Sequence, residues 1–141
     1  MIDISEATQS QLKEVLRWLK QEQDESLEGF YCNKEIIISS FDDSEMHCLS
    51  NNEHVIGFGI FSHKTSGASI DILEIHPQHR GSGHGTNLAQ HLIGYLFQSG
   101  ANYVSVKCSP RSSERFWRGL GLIERPDRHQ QYPPLELWLH R

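Results

Sequence analysis

The sequence predicts an α+β domain, a largely antiparallel sheet with helices on its faces, spread over residues 1–141 as one unit. Two observations predict it. Runs rich in β-branched and aromatic residues recur with turn signals between them, and two segments place apolar residues at helical spacing. Their order is β-α-(α)-β-β-β-α-β-α-β, with room for one more strand. Strands in series with helices set between them fold as a sheet packed by helices.

The elements follow in chain order. Ile2 and Ile4 alternate with polar residues, a short strand. Leu12, Val15, Leu16 and Leu19 make an amphipathic helix, with Thr8 or Ser10 as its cap. Residues 21–29 are polar and acidic and read as helix end plus loop. Asn33 either caps a short helix through Ile38, or Ile36, Ile37 and Ile38 form a strand. Residues 46–49 and 55–61 are β runs around Asn51-Asn52-Glu53, a hairpin turn, and residues 64–67 form a second turn. Residues 69–76 are a third run, stopped by Pro77, so three antiparallel strands stand in series. A Gly-rich loop then enters a helix with Leu88, Leu92, Ile93 and Leu96 on one face, ended by Gly100. Residues 103–108 are a strand, residues 110–120 a short helix, and residues 135–139 a last strand after Pro133-Pro134.

Composition bounds the function. At 141 residues, with 37% hydrophobic and 22% charged residues, the chain can close a core without a metal or disulfide. The 18 acidic and 13 basic residues give a formal charge of −5, the reverse of a nucleic-acid reader's balance. Cys32, Cys48 and Cys108 are odd in number and far apart, which reads as free thiols in a cytoplasmic protein. The polar start MIDISEATQSQ is not a signal peptide. Residues 86–106 lack charge, but Asn87, Gln90, His91, Gln98 and Asn102 make them a poor membrane span, so no membrane partner is expected.

The chemistry concentrates in Arg80-Gly81-Ser82-Gly83-His84-Gly85, between a strand and a helix. A helix N-terminus offers free N–H groups and about half a positive charge, and glycines let the backbone approach a phosphate. A mononucleotide P-loop needs a Lys after its last glycine, and none follows. The dinucleotide fingerprint needs a third glycine where Thr86 stands. Both nucleotide readings therefore fail, and phosphate binding of another kind remains.

Arg80-x-x-Gly83-x-Gly85 resembles the acyl-CoA signature of the GNAT N-acetyltransferase superfamily, Gln/Arg-x-x-Gly-x-Gly/Ala. Leu73-x-Ile75-x-Pro77 resembles that family's fourth strand. Phe116-Trp117-Arg118-Gly119-Leu120-Gly121-Leu122 resembles its aromatic helix and the following Gly-apolar step. Together these matches span residues 69–123. The resemblance implies a mixed, mostly antiparallel sheet of six or seven strands, splayed between strands four and five, with helices on both faces. It implies acetyl-CoA as cosubstrate, with the pantetheine on Leu73 to Ile75 and the pyrophosphate on the loop, Gly81, Ser82, Gly83, His84, Gly85 and Thr86, with Arg80 and Ser109 as further contacts. A primary amine, on a small molecule or a peptide, then attacks the thioester directly, without an acyl-enzyme.

Such a reaction needs a deprotonated amine, since a primary ammonium has a pKa of about 10. The candidate bases lie on residues 71–76. Alternation puts Asp71 on one face and Glu74 with His76 on the other. Glu74 stands where the family's strand bulges toward the thioester. Asp71 also reads as a strand-end surface residue, and His76 as a cap before Pro77. The oxyanion donor implied is the Ile75 N–H. The family's acid is a Tyr, and here Trp117 stands in its place; an indole N–H donates a hydrogen bond but gives up no proton near neutrality. Trp117 reads equally as a core aromatic. Tyr132, Tyr103, Cys108 or water are the substitutes, and Cys108 also reads as a small buried hydrophobe.

Trp18, Phe30 and Tyr31 with Glu22, Asp24, Glu25 and Glu28 come from the region that walls the family's acceptor pocket, where aromatic and acidic groups together suit a cationic amine, or else form an ordinary solvated helix end. His76, His79 and His84 share no register that would hold a metal, and none is expected. The resemblance leaves two functional readings. One is an N-acetyltransferase with an unidentified acceptor. The other is a weakly active or inactive acyl-CoA sensor or partner-binding module, which Trp117 favours. A homodimer joined through residues 135–139 and Trp138 is a further expectation.

Overall fold

The computed structural model describes residues 2–26, 33–52, 54–108, 110–125 and 134–141. Strand β1 (Ile2–Glu6) leads into helices α1 (Gln9–Ser26) and α2 (Lys34–Asp42). Strands β2 (Met46–Asn51), β3 (His54–His63) and β4 (Ala68–Ile75) follow. Helix α3 (His84–Gln98), strand β5 (Tyr103–Cys108), helix α4 (Glu114–Gly119) and strand β6 (Leu135–His140) complete the order. Among the described residues these strands form one six-stranded sheet in sequence order. Neighbours are antiparallel except for β4 and β5, which are parallel. Glu28, Phe30, Tyr31, Cys32, Glu53, Ser109, Tyr132 and Pro133 lie outside the described residues.

Both sheet faces are covered. Leu12, Val15, Trp18 and Leu19 of α1 and Ile37 of α2 pack on Val55, Phe58, Ile60 and Ile72. On the other face Leu88, Leu92 and Leu96 of α3 pack on Ile56, Phe61, Ile70, Val104 and Val106. Thr8 is the cap that α1 uses. Its Oγ1 accepts from the Gln11 N–H at 3.2 Å, and Gln11 Oε1 accepts from the Thr8 N–H at 2.9 Å, a reciprocal capping box. The three isoleucines belong to helix α2, with Ile37 buried and Ile36 exposed.

Several expectations change. Helix α1 runs through Ser26, so Glu22 and Glu25 stand on a helix face, not in a loop. Strand β4 ends at Ile75, and His76 caps a 3-10 turn over Pro77–His79. The helix expected over 110–120 is a 3-10 turn (Arg111–Ser113) followed by α4. Trp138 is buried, its backbone bridges Ile123, and its ring is tilted against Tyr103 at 4.7 Å.

The pairing of β3 with β4 carries the correction that bears most on the site. Ile60 pairs with Ile72 and Phe61 with Ile70, so Asp71 is an extra residue, a β-bulge. A bulge reverses the facing of everything after it. Ile70 faces α3, whereas Ile72 faces α1, although strict alternation would put both on one side. The bulge thus lies at Asp71, three residues before Glu74, where it was expected. Because of it Leu73 and Ile75 pack toward α3.

Helix α3 lies close to β3 because β3 carries glycines beneath it. A Cβ at Gly59 would stand 2.3 Å from Leu92 Cδ1, and one at Gly57 would stand 2.6 Å from Ile75 Cδ1. Gly59→Ala therefore overpacks this layer and is expected to lower unfolding stability by about 1–3 kcal/mol in urea titration. An unchanged midpoint would show that α3 has slack over β3.

A buried imidazole adds a pH dependence. His47 on β2 has its Nδ1 3.3 Å from His91 Nε2 on α3 and packs against Tyr95 at 4.6 Å and Phe61 at 5.2 Å. Burial, aided by His91, pushes His47 down to about 4. The folded protein thus holds His47 neutral, while the unfolded chain takes a proton near pH 6.5. Stability is full above about pH 6.5 and falls as pH drops toward 4. Scanning calorimetry from pH 7 to pH 5 should show a falling Tm, with a smaller fall in His47→Gln. Equal slopes in the two proteins would remove His47 as the cause.

Candidate functional site

The site begins where β4 and β5 part. Their parallel ladder holds Ala68 with Val104, Ser69 with Ser105 and Ile70 with Val106, and it stops there, at the bulge. The His76 N–H donates to Ile56 O on β3. Backbone groups alternate sides along a strand, so Leu73 and Ile75 direct theirs toward the β5 side, where no further rung is formed among the described residues; Arg80 Nε takes the Ile75 carbonyl, which leaves the Leu73 groups and the Ile75 N–H. Asp71, Leu73, Glu74, Lys107, Pro110, Phe116 and Trp117 line the cleft that results. An open strand edge inside a cleft is a row of donors and acceptors awaiting a partner.

The Gly-rich loop closes one end of this cleft. Gly81 and Gly83 have φ of +85° and +84°, and Gly83 caps α3. These values favour glycine, and nothing lies within 4 Å of where either Cβ would be, so the space over the loop is open. The first helical bond there runs from the Asn87 N–H to Gly83 O, which leaves the amides of His84, Gly85 and Thr86 without helical partners. Gly85 differs from its neighbours, since its Cβ would meet Phe116 at an ordinary 3.6 Å. Ser82 and Thr86 are exposed. His84 is half-buried, with its Nδ1 lacking a hydrogen-bond partner, and its ring lies 6.4 Å from His79. Phe116 borders both the cleft and the hollow over the loop.

Arg80 lines this hollow too, while its guanidinium is engaged by other groups. Its Nε donates to Ile75 O at 2.9 Å, and its Nη2 reaches Glu22 at 3.0 Å and also Glu74. The side chains of Glu74 and Glu22 are 11% and 12% exposed, so two nearly buried carboxylates share one guanidinium nitrogen. Burial pushes Glu74 up to about 7, with Glu22 adding to the rise and Arg80 opposing it. Glu74 lines the β4–β5 cleft, and its partners Glu22 and Arg80 line a second cavity on the α1 side, with Trp18, Gln21, Glu25, His76, Pro77 and Gln78. The carboxylate therefore stands at the junction of two cavities.

The remaining candidates are placed as follows. Asp71 accepts from Ser69 Oγ at 2.7 Å and from Ser62 Oγ, so both its oxygens hold the bulge. His76 accepts from the Gln78 N–H through Nδ1, stacks on Trp18 at 4.6 Å, and is shifted toward the neutral form by burial. Trp117 is 6% exposed, belongs to the core beneath α3, and still lines the cleft. Cys108 is buried, and burial raises its thiol further. Tyr103 lies at the opposite end of β5, on Trp138. Among the described residues no group of three or more His, Cys, Asp or Glu could hold a metal, and no helix is long and apolar enough to cross a membrane.

Sequence reasoning named Glu74, Glu22 and Arg80 separately, for three different roles. The contact that joins them spans 58 residues and leaves no local signal. Phe116 against Gly85 was missed for the same reason.

Comparison with known proteins agrees with this geometry. A family model described as Acetyltransferase (GNAT) family matches residues 10–122. No curated protein matches the chain by sequence. Among solved structures, a GNAT family acetyltransferase from Bacillus cereus superposes with a TM-score of 0.75 at 12% identity, covering 100% of this chain and 98% of that one. A GNAT family acetyltransferase from Brucella melitensis, in complex with acetyl-CoA, gives 0.74 at 13% identity over 99% and 88%. N-acetylglutamate synthase from Neisseria gonorrhoeae, complexed with coenzyme A and N-acetyl-glutamate, gives 0.75 at 15% identity. It covers 100% of this chain, which spans only 36% of that larger protein. At such identities the likeness is one of fold. The splayed sheet, the glycine loop at the head of α3 and a family match over most of the chain lead to one assignment: the chain belongs to the GNAT acetyltransferase family.

Proposed function

We propose that the protein transfers an acetyl group from acetyl-CoA to a primary amine, with Glu74 as the base. The observation that carries this reading is the position of Glu74, nearly buried at the junction of the β4–β5 cleft and the α1-side cavity. A base works best with a pKa close to the working pH, and burial brings Glu74 to about 7. The open edge at Leu73 and the Ile75 N–H, together with the space above Gly81 and Gly83, fits a pantetheine chain and a pyrophosphate.

Acetyl-CoA supplies an activated acetyl thioester; the other roles fall to the chain. Amides at the head of α3 hold the pyrophosphate, and the half-buried Nδ1 of His84 is a further polar group at that end. The Ile75 N–H faces the cleft as a fixed donor for negative charge developing on the carbonyl oxygen. The incoming ammonium gives its proton to Glu74 and attacks as a neutral amine. Arg80 stays on Glu74, Glu22 and the end of β4, holding the base in place instead of reaching for phosphate. Trp117 gives up no proton, so water reaching the cleft takes the second proton that the nitrogen loses as the amide forms and passes one to the departing thiolate; Glu74 returns its proton to solvent. A thiolate with a pKa of about 8.5 leaves without full assistance.

The burial of Trp117 where the family carries an acid supports a second reading, a CoA-binding module with slow turnover. Missing general acid catalysis costs on the order of 10²–10⁴ in rate.

Acetyl-CoA at 100 times its dissociation constant should stabilise the protein by about 2.7 kcal/mol, a rise of a few degrees in Tm. Coenzyme A should act alike and ATP should not, and Gly83→Glu should abolish the effect. Stabilisation by ATP alone, or an undiminished effect in Gly83→Glu, would place the ligand elsewhere. With an amine acceptor, release of free thiol should rise with pH through an apparent pKa of about 7, because Glu74 must be ionised to accept a proton. Glu74→Gln should lower kcat by about 10²–10⁴-fold and erase that limb of the profile. A full rate in Glu74→Gln would remove it as the base.

A further inference from the structure

Among the described residues that line the β4–β5 cleft, of about 240 Å³, one carries an amine, Lys107. The others present apolar, aromatic, hydroxyl or carboxyl groups. The register sets its place. Ile70 and Val106 form the last rung between β4 and β5, so Lys107 is the first β5 residue past the parting, level with the bulge at Asp71. Val104, Val106 and Cys108 enter the core under α3, and alternation turns Ser105 and Lys107 the other way. There Lys107 also lines a polar hollow of about 200 Å³ with Lys64, Ser69, Asp71, Ser105 and Glu136. It therefore stands between the cleft and that hollow.

The ammonium is not tied down. Lys107 is exposed, and among the described residues it makes no hydrogen bond or ion pair. Glu136 stands opposite it on β6 with no ion pair between them, and Asp71 accepts from Ser62 and Ser69. Arg80, by contrast, is held by three acceptors. A lysine stem is long and flexible, so a free ammonium at this border reaches into the cleft. Coenzyme A carries its sulfur at the end of the pantetheine away from the pyrophosphate. With the pyrophosphate over the glycine loop, at the Ile75 end, the acyl end points down the cleft toward the parting of the strands.

We propose that Lys107 is a modification site of the protein itself: with acetyl-CoA bound and no amine in the cleft, the chain acetylates its own Lys107. The inference rests on the acetyl-CoA part of the functional reading and needs no external acceptor. The Lys107 ammonium first gives a proton to solvent. Its neutral Nζ attacks the thioester carbonyl carbon; the N–C bond forms and the C–S bond breaks. Water takes the second proton from the nitrogen and passes one to the thiolate. The products are acetyl-lysine at position 107 and coenzyme A, and the side chain loses its positive charge.

The test incubates the protein with acetyl-CoA and no acceptor, and locates added acetyl groups by peptide mass mapping over time. Lys64, exposed at the rim of the neighbouring hollow, reports background acetylation in the same chain. Lys107 should be acetylated about tenfold faster than Lys64 or more, because the bound thioester is held beside it. Excess coenzyme A should suppress the reaction at Lys107 and not at Lys64. The rate per molecule should not change with protein concentration, and Lys107→Arg should lose the fast uptake. Equal rates at the two lysines, a Lys107 rate that coenzyme A leaves unchanged or that rises with protein concentration, or fast uptake that persists in Lys107→Arg overturns the inference. If acetyl-CoA then still raises Tm and an added amine still drives thiol release, the transfer reading stands. Fast acetylation of Lys107 with no release driven by added amines keeps the inference and overturns the external-amine reading. Neither acetylation nor a rise in Tm overturns both.

Discussion

The structure depends on a ladder that stops early. Strands β4 and β5 share three rungs and then part at Ile70 and Val106. Backbone donors and acceptors inside a protein must be paired, and a strand that abandons its neighbour needs something else to bond. The parting coincides with the bulge at Asp71, where Ser62 and Ser69 hold both carboxylate oxygens. One extra residue therefore does two things. It ends the pairing with β5, and it turns Leu73 and Ile75 toward α3 and Glu74 toward α1. An unbulged β4 would carry its carboxylate to the wrong face.

The loop depends on the same strand. Ile75 lies under Gly57 on one side and beside Gly85 on the other, so the glycines of β3 let α3 settle low and bring its N-terminus to the mouth of the cleft. Positive φ at Gly81 and Gly83 then turns the chain into the helix with its amides facing outward. The loop thus stands at the end of a helix whose height above the sheet is set by missing side chains on β3, directly beneath it.

The charges follow from these positions. Burying Glu74 without a cation would neutralise it well above physiological pH, and pairing it with a fully committed arginine would make it a poor base. Sharing Arg80 with Glu22 places it between those extremes, at about 7. The two carboxylates hold opposite ends of the arrangement, one on α1 and one on β4. Arg80 thus ties the start of the glycine loop to α1 and to β4 through two carboxylates.

The sequence by itself determined the order and kind of nearly every element, because hydrophobic periodicity and Gly/Pro punctuation act over a few residues. It also determined the loop at Arg80 to Thr86 and, through the spacing of its glycines, the family. The same local rules left α2 open between helix and strand, until Ile37 found a core to enter. Only the tertiary structure decided how the site is built. Strict alternation placed Asp71 opposite Glu74 and could not foresee a bulge, which arises from pairing with a neighbouring strand. The loop motif marked Arg80, and nothing in it recorded that Glu22, 58 residues away, and Glu74 would meet its guanidinium. Trp117 was readable as an acid's replacement or a core aromatic, and its packing beneath α3 shows it to be a core residue that also borders the cleft. Short-range patterns fix what each segment becomes; which charges meet is fixed by segments distant in the chain, and no local pattern records that.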